Sequence, residues 1–389
     1  MSSQLKVNSI SDAAGANGNA ITLATDGTCT AKVTNNLSNR NLIINGAMQV
    51  NQRVSTSGLD DFNVVTGTMY TLDRWRAVGS SSFDWDSARV KQVSDSPDEF
   101  SNSLRVDIGN TETPSGGQNG LIHQYIEAQN LQHLAYGTSS AKTCTLSFWV
   151  RSNKTGTYCA QISHHDAGKY LMYEYSISSA NTWEKKTITF SGNTSDAITN
   201  DNGIGLEISF LLTSGPDDHV SATASWTAKP GGGGGSKYLA TSNQVNLWDH
   251  ADNVWYLTGV QLEVSDYATD FEMRSYGDEL QRCLRYFYRA NDSTTQTGGR
   301  DYCIVESSTQ MTCLMHFPVT MRAAPSITIT AKGSTLEAGT AWDASTAMSQ
   351  NGSTTEMSVI NNTQSGGNSM NKGDVSRMAF YDLLFSAEL

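Results

Sequence analysis

The run "KTCTLSFWVRS" (142–152) alternates over its second half, with Leu146, Phe148 and Val150 set against Ser147, Trp149 and Arg151. Successive side chains on an extended strand point to opposite faces, so this spacing gives a sheet one inner apolar face and one outer polar face. Similar short runs recur from 41 to 271, among them "SLRVDIG" (103–109), "TYCAQISHH" (157–165), "KYLMYEYSI" (169–177), "IGLEISFLL" (204–212) and "VWYLTGVQLEV" (254–264), each bounded by turn residues. Such a series predicts a jelly-roll β-sandwich over 41–271. The stretch "TAKPGGGGGSKY" (227–238) falls between strands and reads as a surface loop rather than a domain linker.

Composition agrees with a mainly β fold. The chain has 389 residues, room for two or three cores, and is 38% hydrophobic and only 16% charged, with 33 Gly, 8 Trp and 15 Tyr. Its formal net charge of −12 repels a phosphate backbone over most of the surface, and no basic run is interleaved with aromatics, so nucleic acid is not an expected partner. No apolar run approaches the roughly 20 residues that span a bilayer, and the first residues lack a basic region followed by an apolar core. A soluble chain without a signal peptide or membrane insertion is the expectation. The six cysteines (Cys29, Cys144, Cys159, Cys283, Cys303, Cys313) show no CxxC pair and no zinc-type spacing, which predicts buried free thiols.

The flanks of the sandwich differ from it. Residues 1–40 are polar, carry only short alternating pieces such as "QLKVNSI" and "NAITLAT", and cannot fill a core, so they read as an attachment arm. Over 272–291, Leu280, Cys283, Leu284 and Phe287 recur at helical spacing, Ser275 can cap with Asp278 three residues on, and Asp278 and Arg282 stand i, i+4. One amphipathic connecting helix of about four turns is therefore expected. After it, "QMTCLMHFPVTM" (310–321), "PSITITAKG" (325–333) and "SRMAFYDLLFSAEL" (376–389) predict a smaller C-terminal β domain over 292–389.

Few residues suggest chemistry. "GGGGGSKY" has Ser236, Lys237 and Tyr238 where a phosphate loop requires Gly-Lys-Ser/Thr. Neither a GxSxG elbow nor an HExxH helix occurs, so no catalytic residue and no cofactor are expected. Adjacent His164 and His165 point to opposite faces of a strand and cannot share an ion without a bulge, and Asp249 with Asp252 reads as an Asx turn before a calcium loop, so no metal is expected either. Aromatic rings remain, because they stack on sugar C–H faces while polar neighbours hydrogen-bond hydroxyls. Trp85, Trp226 and Tyr170, in or beside polar loops, are the glycan-binding candidates; Trp149, Trp183 and Trp255 read as packing.

"NLIINGAMQVNQR" (41–53) followed by "YTLDRW" (70–75), then the segment "WYLTGVQLEVSDYATDFEMRSYGDELQRCLRYFYR" (255–289) and "FPVTMRAAPSITI" (317–329), resembles a group of bacteriophage virion proteins, tail-fibre or other host-contacting fibre subunits common among marine phages. The resemblance implies a carbohydrate-module-like jelly roll on a homotrimeric fibre protein. It also implies other virion proteins as partners through the N-terminal arm, host surface polysaccharide as ligand, and location in the virion after assembly in the host cytoplasm. Arg282, Arg285 and Arg289, crowded on one segment of an acidic chain, are the trimer-interface candidates, each expected to face a carboxylate of an adjacent subunit. The expected function is thus a non-enzymatic virion fibre subunit that adheres to host glycans. The alternatives are a capsid fibre or decoration without a receptor role, and a glycan-cleaving fibre component, the latter disfavoured by the lack of the short repeats of a parallel β-helix.

Overall fold

The computed structural model describes residues 9–11, 19–23, 25, 29–31, 39–53, 62–63, 68–80, 83, 88–230, 238–290, 300–307, 309–331, 334–337, 341–364, 372–373, 375–379 and 382–389. The chain is mainly β, as the alternation predicts. Strands Ser9–Ser11, Asn19–Leu23 and Cys29–Ala31 form a small antiparallel sheet of their own. Two larger antiparallel sheets build the sandwich. The six-stranded one runs, in hydrogen-bonded order, Glu184–Phe190, Cys144–Ser152, Val254–Val264, Ser103–Asp107, Arg89–Val93 and Phe62–Asn63. The seven-stranded one runs Thr223–Ala228, Lys169–Ile177, Gly156–His164, Ile204–Ser214, Asn119–Glu127, Arg76–Gly79 and Thr68–Tyr70.

Alternation decides what lies between them. Leu146, Phe148 and Val150 from one sheet meet Ile162, Tyr175, Ile208 and Phe210 from the other, all in one buried cluster. Phe148 is the centre of this contact, edge-on to Phe210 at 4.8 Å and to Tyr175 at 5.1 Å between centroids. Trp255 is fully buried there too, whereas Trp149 and Trp183 are only half-buried. Trp149 alternates with the inward Phe148 and Val150 and so stands on the outer face, which corrects its assignment to packing between sheets.

The helix is shorter than its periodicity suggests. It covers Tyr276–Leu284, with the Ser275 hydroxyl accepting from the Asp278 amide as its cap at 3.2 Å. The expected apolar stripe is only partly its buried face: Cys283 is buried, as is Glu279, while Leu280 and Leu284 are half-buried. Phe287 belongs to a strand, Phe287–Ala290, which pairs with Asp382–Ser386. The last part of "LRYFYR" thus gains sheet partners that a fourth helical turn would forfeit. The expected Asp278–Arg282 pair gives way to other bonds, since the Asp278 carboxylate takes the nearby Ser275 hydroxyl at 2.7 Å and Arg282 donates to the distant Asn39 side chain at 2.6 Å.

Beyond the helix, Phe287–Ala290, Asp382–Ser386 and Ser326–Ala331 form a three-stranded sheet. Strands Arg300–Ser307, Gln310–His316, Met357–Gln364, Ala341–Ser353, Ser334–Glu337 and Val375–Ala379 close a barrel. Cys303 and Cys313 are directly opposed across the first hairpin of this barrel, with Cα atoms 4.3 Å apart, and form a disulfide. This corrects the expectation of free thiols throughout; Cys144, Cys159 and Cys283 are free and buried.

The segments that carry the fibre resemblance converge on the joint between sandwich and C-terminal unit. Asn45 donates its side-chain amide to the carbonyls of Val50 and Asp73 at 2.8 and 3.0 Å, and Trp75 donates its indole N–H to the Asn45 carbonyl at 3.0 Å. Gly46 is required beside it, because a Cβ there would lie 2.1 Å from the Val260 carbonyl oxygen. Arg53 and Arg74 both pair with Glu388, Arg53 at 2.6 Å, and Arg74 stacks on Tyr286 with its guanidinium carbon 3.6 Å from the ring centroid. Arg322 donates to the carbonyls of Ala387 and Glu388 at 2.7 and 2.9 Å.

Each trimer candidate has a partner within its own chain at this joint. Arg285 grips the fully buried Glu127 with Nε at 3.0 Å and Nη2 at 2.7 Å, and Tyr286 donates its hydroxyl to the same carboxylate at 2.8 Å. Arg289 donates to the Gln52 carbonyl at 3.4 Å. The carboxylate foreseen for Arg285 on an adjacent subunit is therefore supplied by its own sandwich.

Candidate functional site

The two faces of the seven-stranded sheet carry different chemistry. Inward residues join the core, whereas the outward ones mix polar, aromatic and apolar side chains and stand in rows across the strands. One row of directly opposed residues is Tyr70, Arg76, His123, Ser209, Gln161 and Met172. The next is Tyr125, Glu207, Ser163, Tyr170 and Thr227. Adjacent strands lie about 4.8 Å apart, so each row forms a straight series of neighbouring side chains.

Glu207 is the centre. One carboxylate oxygen pairs with His123 Nδ1 at 2.5 Å and accepts the Ser209 hydroxyl at 2.9 Å, while the other pairs with His165 Nε2 at 2.7 Å. Burial opposes ionisation of this carboxyl, yet the charges and hydrogen bonds of His123 and His165 outweigh it and hold the group well below the usual carboxylate range. Tyr125 lies edge-on to both imidazoles, at 4.5 Å from His123 and 5.5 Å from His165. Arg76 donates to its hydroxyl at 3.1 Å and lies between its ring and that of Tyr70, at 5.5 and 5.7 Å. Burial and the nearby Glu207 charge push the Tyr125 hydroxyl up to about 12, so it stays a donor at any physiological pH. His123 Nε2 and Arg76 Nε are buried without a protein partner among the described residues.

A segment beyond the glycine-rich loop covers the rest of this face. Tyr238, Leu239 and Ala240 pack on Leu121, Cys159, Tyr170, Met172 and Leu211. Gln161 donates its side-chain amide to the Tyr238 carbonyl, and Lys229 sits over the Tyr238 ring at 5.2 Å. The covered apolar part and the open polar part thus meet at Tyr238.

The sequence candidates are placed otherwise. Tyr170 is on this face but only 4% exposed, under Tyr238 at 5.4 Å between ring centroids. Trp226, on the edge strand, is half-buried among Tyr136, His164 and Phe190, and its indole N–H donates to the Ser191 carbonyl at 2.9 Å. Tyr170 therefore offers no free ring face for stacking, whereas Trp226 keeps part of its surface in solvent. Trp85 lies outside the described residues. Opposite orientations of His164 and His165, read from their adjacency, do occur: His164 is fully buried and His165 joins Glu207. Asp249 is engaged by the side chains of Lys154 and, at 2.7 Å, Asn253, while the Asx-type bond of this stretch is made by Asn246, whose side chain accepts from the Trp248 amide at 2.9 Å.

No family model and no curated protein matches the chain. Among solved structures, a putative sugar binding protein from Bacteroides thetaiotaomicron is similar at 12% identity over 58% of this chain and 100% of that one, with a TM-score of 0.31. The enzymatically active domain of bacteriophage CBA120 tailspike protein 4 is similar at 15% identity over 58% of this chain, with a TM-score of 0.28; the match spans 21% of the tailspike chain. A family 11 carbohydrate-binding module from Clostridium thermocellum, in complex with a mixed-linked tetrasaccharide, is similar at 13% identity over 53% of this chain and 99% of that one, with a TM-score of 0.26. Likeness of this degree leaves the ligand to be argued from the site's own residues.

Proposed function

We propose that the outer face of the seven-stranded sheet is a glycan-binding platform on a non-enzymatic virion fibre subunit. The observation that carries the reading is the junction of the two rows at Glu207. There, rings (Tyr70, Tyr125), a fixed carboxylate, a guanidinium (Arg76) and imidazoles stand side by side on a rigid sheet. Rings of this kind stack on sugar C–H faces, and the polar groups between them offer both donors and acceptors to hydroxyls. Around them His165 and Arg76 are only half-buried, so polar groups of the platform reach its surface.

Binding fits this geometry better than cleavage. Glycoside hydrolysis needs one carboxyl group able to give a proton and a second one roughly 5–10 Å away. Glu207 is held ionised and already accepts from His123, His165 and Ser209. Attachment through the N-terminal arm, a homotrimeric state and a place in the virion rest on the fibre resemblance of the sequence. Affinity per site is low in this reading, and several copies on one particle supply avidity.

Affinity electrophoresis in gels containing bacterial surface polysaccharides tests the platform. The wild type is retarded by at least one of them, without release of reducing ends, and Tyr125→Ala abolishes the retardation with an unchanged melting temperature. Retardation that survives both Tyr125→Ala and His165→Ala places the site elsewhere, and reducing-end release makes the chain a hydrolase.

A further inference from the structure

The outer face of the six-stranded sheet carries a second row, of different character. Arg151 opposes Tyr256, Tyr256 opposes Arg105 and Arg105 opposes Lys91 across four adjacent strands. Trp183, just before the Glu184–Phe190 strand, extends the row with its ring 5.8 Å from that of Tyr256. Tyr256 is 5% exposed and held between two guanidiniums, with Arg151 at 5.0 Å and Arg105 at 5.4 Å from its centroid. The same register puts Lys185 opposite Trp149 and Arg89 opposite Asp107, both at outward positions. Against Arg40, Arg89, Lys91, Arg105, Arg151 and Lys185 the face sets Asp95, Asp107 and the buried Glu263. In a chain of net charge −12 this is a local excess of positive charge.

From this arrangement we infer that the six-stranded face is a second binding site, for a linear polysaccharide bearing anionic groups. The row from Arg151 to Lys91 spans about 14 Å, three strand spacings. A guanidinium fork meets a carboxylate or sulfate with parallel charge-assisted bonds, and the Trp183 and Trp149 rings offer stacking surface for the sugar backbone. Asp95 and Asp107 act as built-in counterions. Asp95 pairs with Arg151 and receives the Trp183 indole N–H at 3.4 Å, and its side chain is 45% exposed, so an incoming anionic group can displace it. Charge and ring stacking together select an acidic sugar chain over a neutral one, and the few cations are too sparse to track a phosphate backbone.

Binding of full-length protein to polygalacturonate (carboxylate), dextran sulfate (sulfate), neutral dextran and single-stranded DNA at low and high salt tests the inference. The wild type binds at least one acidic glycan at low salt and loses it at high salt, since exposed charges are screened. The preferred acidic polymer identifies the anionic group. Arg105→Gln with Arg151→Gln weakens binding by at least about tenfold, the minimum for losing charge-assisted bonds. Asp95→Asn strengthens binding several-fold, a gain that a merely structural pair would not give. Tyr125→Ala, on the opposite sheet, leaves acidic-glycan binding intact even where it abolishes binding at the platform. The inference is overturned if no acidic glycan binds, if the double variant binds like the wild type, if Tyr125→Ala removes this binding, or if DNA binds as tightly as the glycans.

Discussion

Loss of the Glu388 charge should strongly destabilise this protein. The Glu388 side chain is 4% exposed and carries the charge that neutralises Arg74, itself 1% exposed, along with Arg53 at 11%. In Glu388→Gln an amide replaces one carboxylate oxygen, so N–H groups face guanidinium N–H groups and Arg74 keeps its charge without a counterion. The Tyr125 carbonyl, which accepts from Arg74 at 2.6 Å, and the Tyr286 ring compensate only in part. Removing one partner of a buried pair costs about 3–5 kcal/mol, and for units of this size each kcal/mol lowers the melting temperature by roughly 2–4 °C. A loss on the order of 10 °C in calorimetry is therefore expected. Arg74→Met combined with Glu388→Met should recover most of it, because an apolar replacement leaves no orphaned charge. A single Glu388→Gln variant melting within about 2 °C of the wild type would refute the reasoning, since a buried pair cannot be broken so cheaply.

Other outcomes follow from individual residues. Burial, aided by Asp217, pushes the Asp218 carboxyl from 3.8 up to about 6 against the pull of its bond from Asn119. The folded state thus holds this proton more tightly than the unfolded one, and its contribution to stability falls as pH rises from about 4 to about 6. Asp218→Asn should melt higher than the wild type at pH 8 and show no advantage at pH 4; an equal gain at both values would exclude ionisation as its cause. Replacing Cys303 and Cys313 by Ser should lower stability by about 2–3 kcal/mol, read as a lower denaturant midpoint that added reductant no longer shifts. Arg285→Glu would set two carboxylates against each other at Glu127 and disrupt the joint, so Arg282→Glu, at the more exposed position, is the cleaner probe of a homotrimer. In light scattering the trimeric reading expects that variant to move toward monomer, and a monomeric wild type at micromolar concentration ends it.

The sandwich was legible because its signal is local. Alternation in 146–151 and in the runs around it needs no distant residue to be read, and the Ser275 cap is equally local. The platform was not, because its meaning lies in register. Tyr125 and Glu207 are far apart in sequence and become neighbours only through strand pairing. "NGLIHQYIE" is buried nearly throughout, so its outward His123 and Tyr125 do not stand out from an apolar strand. Loop context favours Trp226 and Tyr170 as aromatic candidates, but the Tyr170 ring lies under Tyr238 and Trp226 is half-buried on the edge strand. The end of the helix is not legible, because "RYFYR" fits a helical stripe and a strand equally well and pairing with Asp382–Ser386 decides between them. The fibre-like segments mark a joint of buried charges and carry no binding residue of the open face beyond Tyr70, which also donates to the Leu389 carbonyl at 2.7 Å.

The most direct test of the platform is imidazole nitrogen NMR of His123 and His165 during titration with an oligosaccharide cut from a polysaccharide that retards the protein. Both rings touch Tyr125 and both pair with Glu207, so a sugar seated on this face must change their environment. Saturable shifts at His123 and His165, with the buried His164 unmoved, are the expected result. Binding that leaves both resonances in place, with shifts confined to amides of the C-terminal barrel, would contradict the assignment.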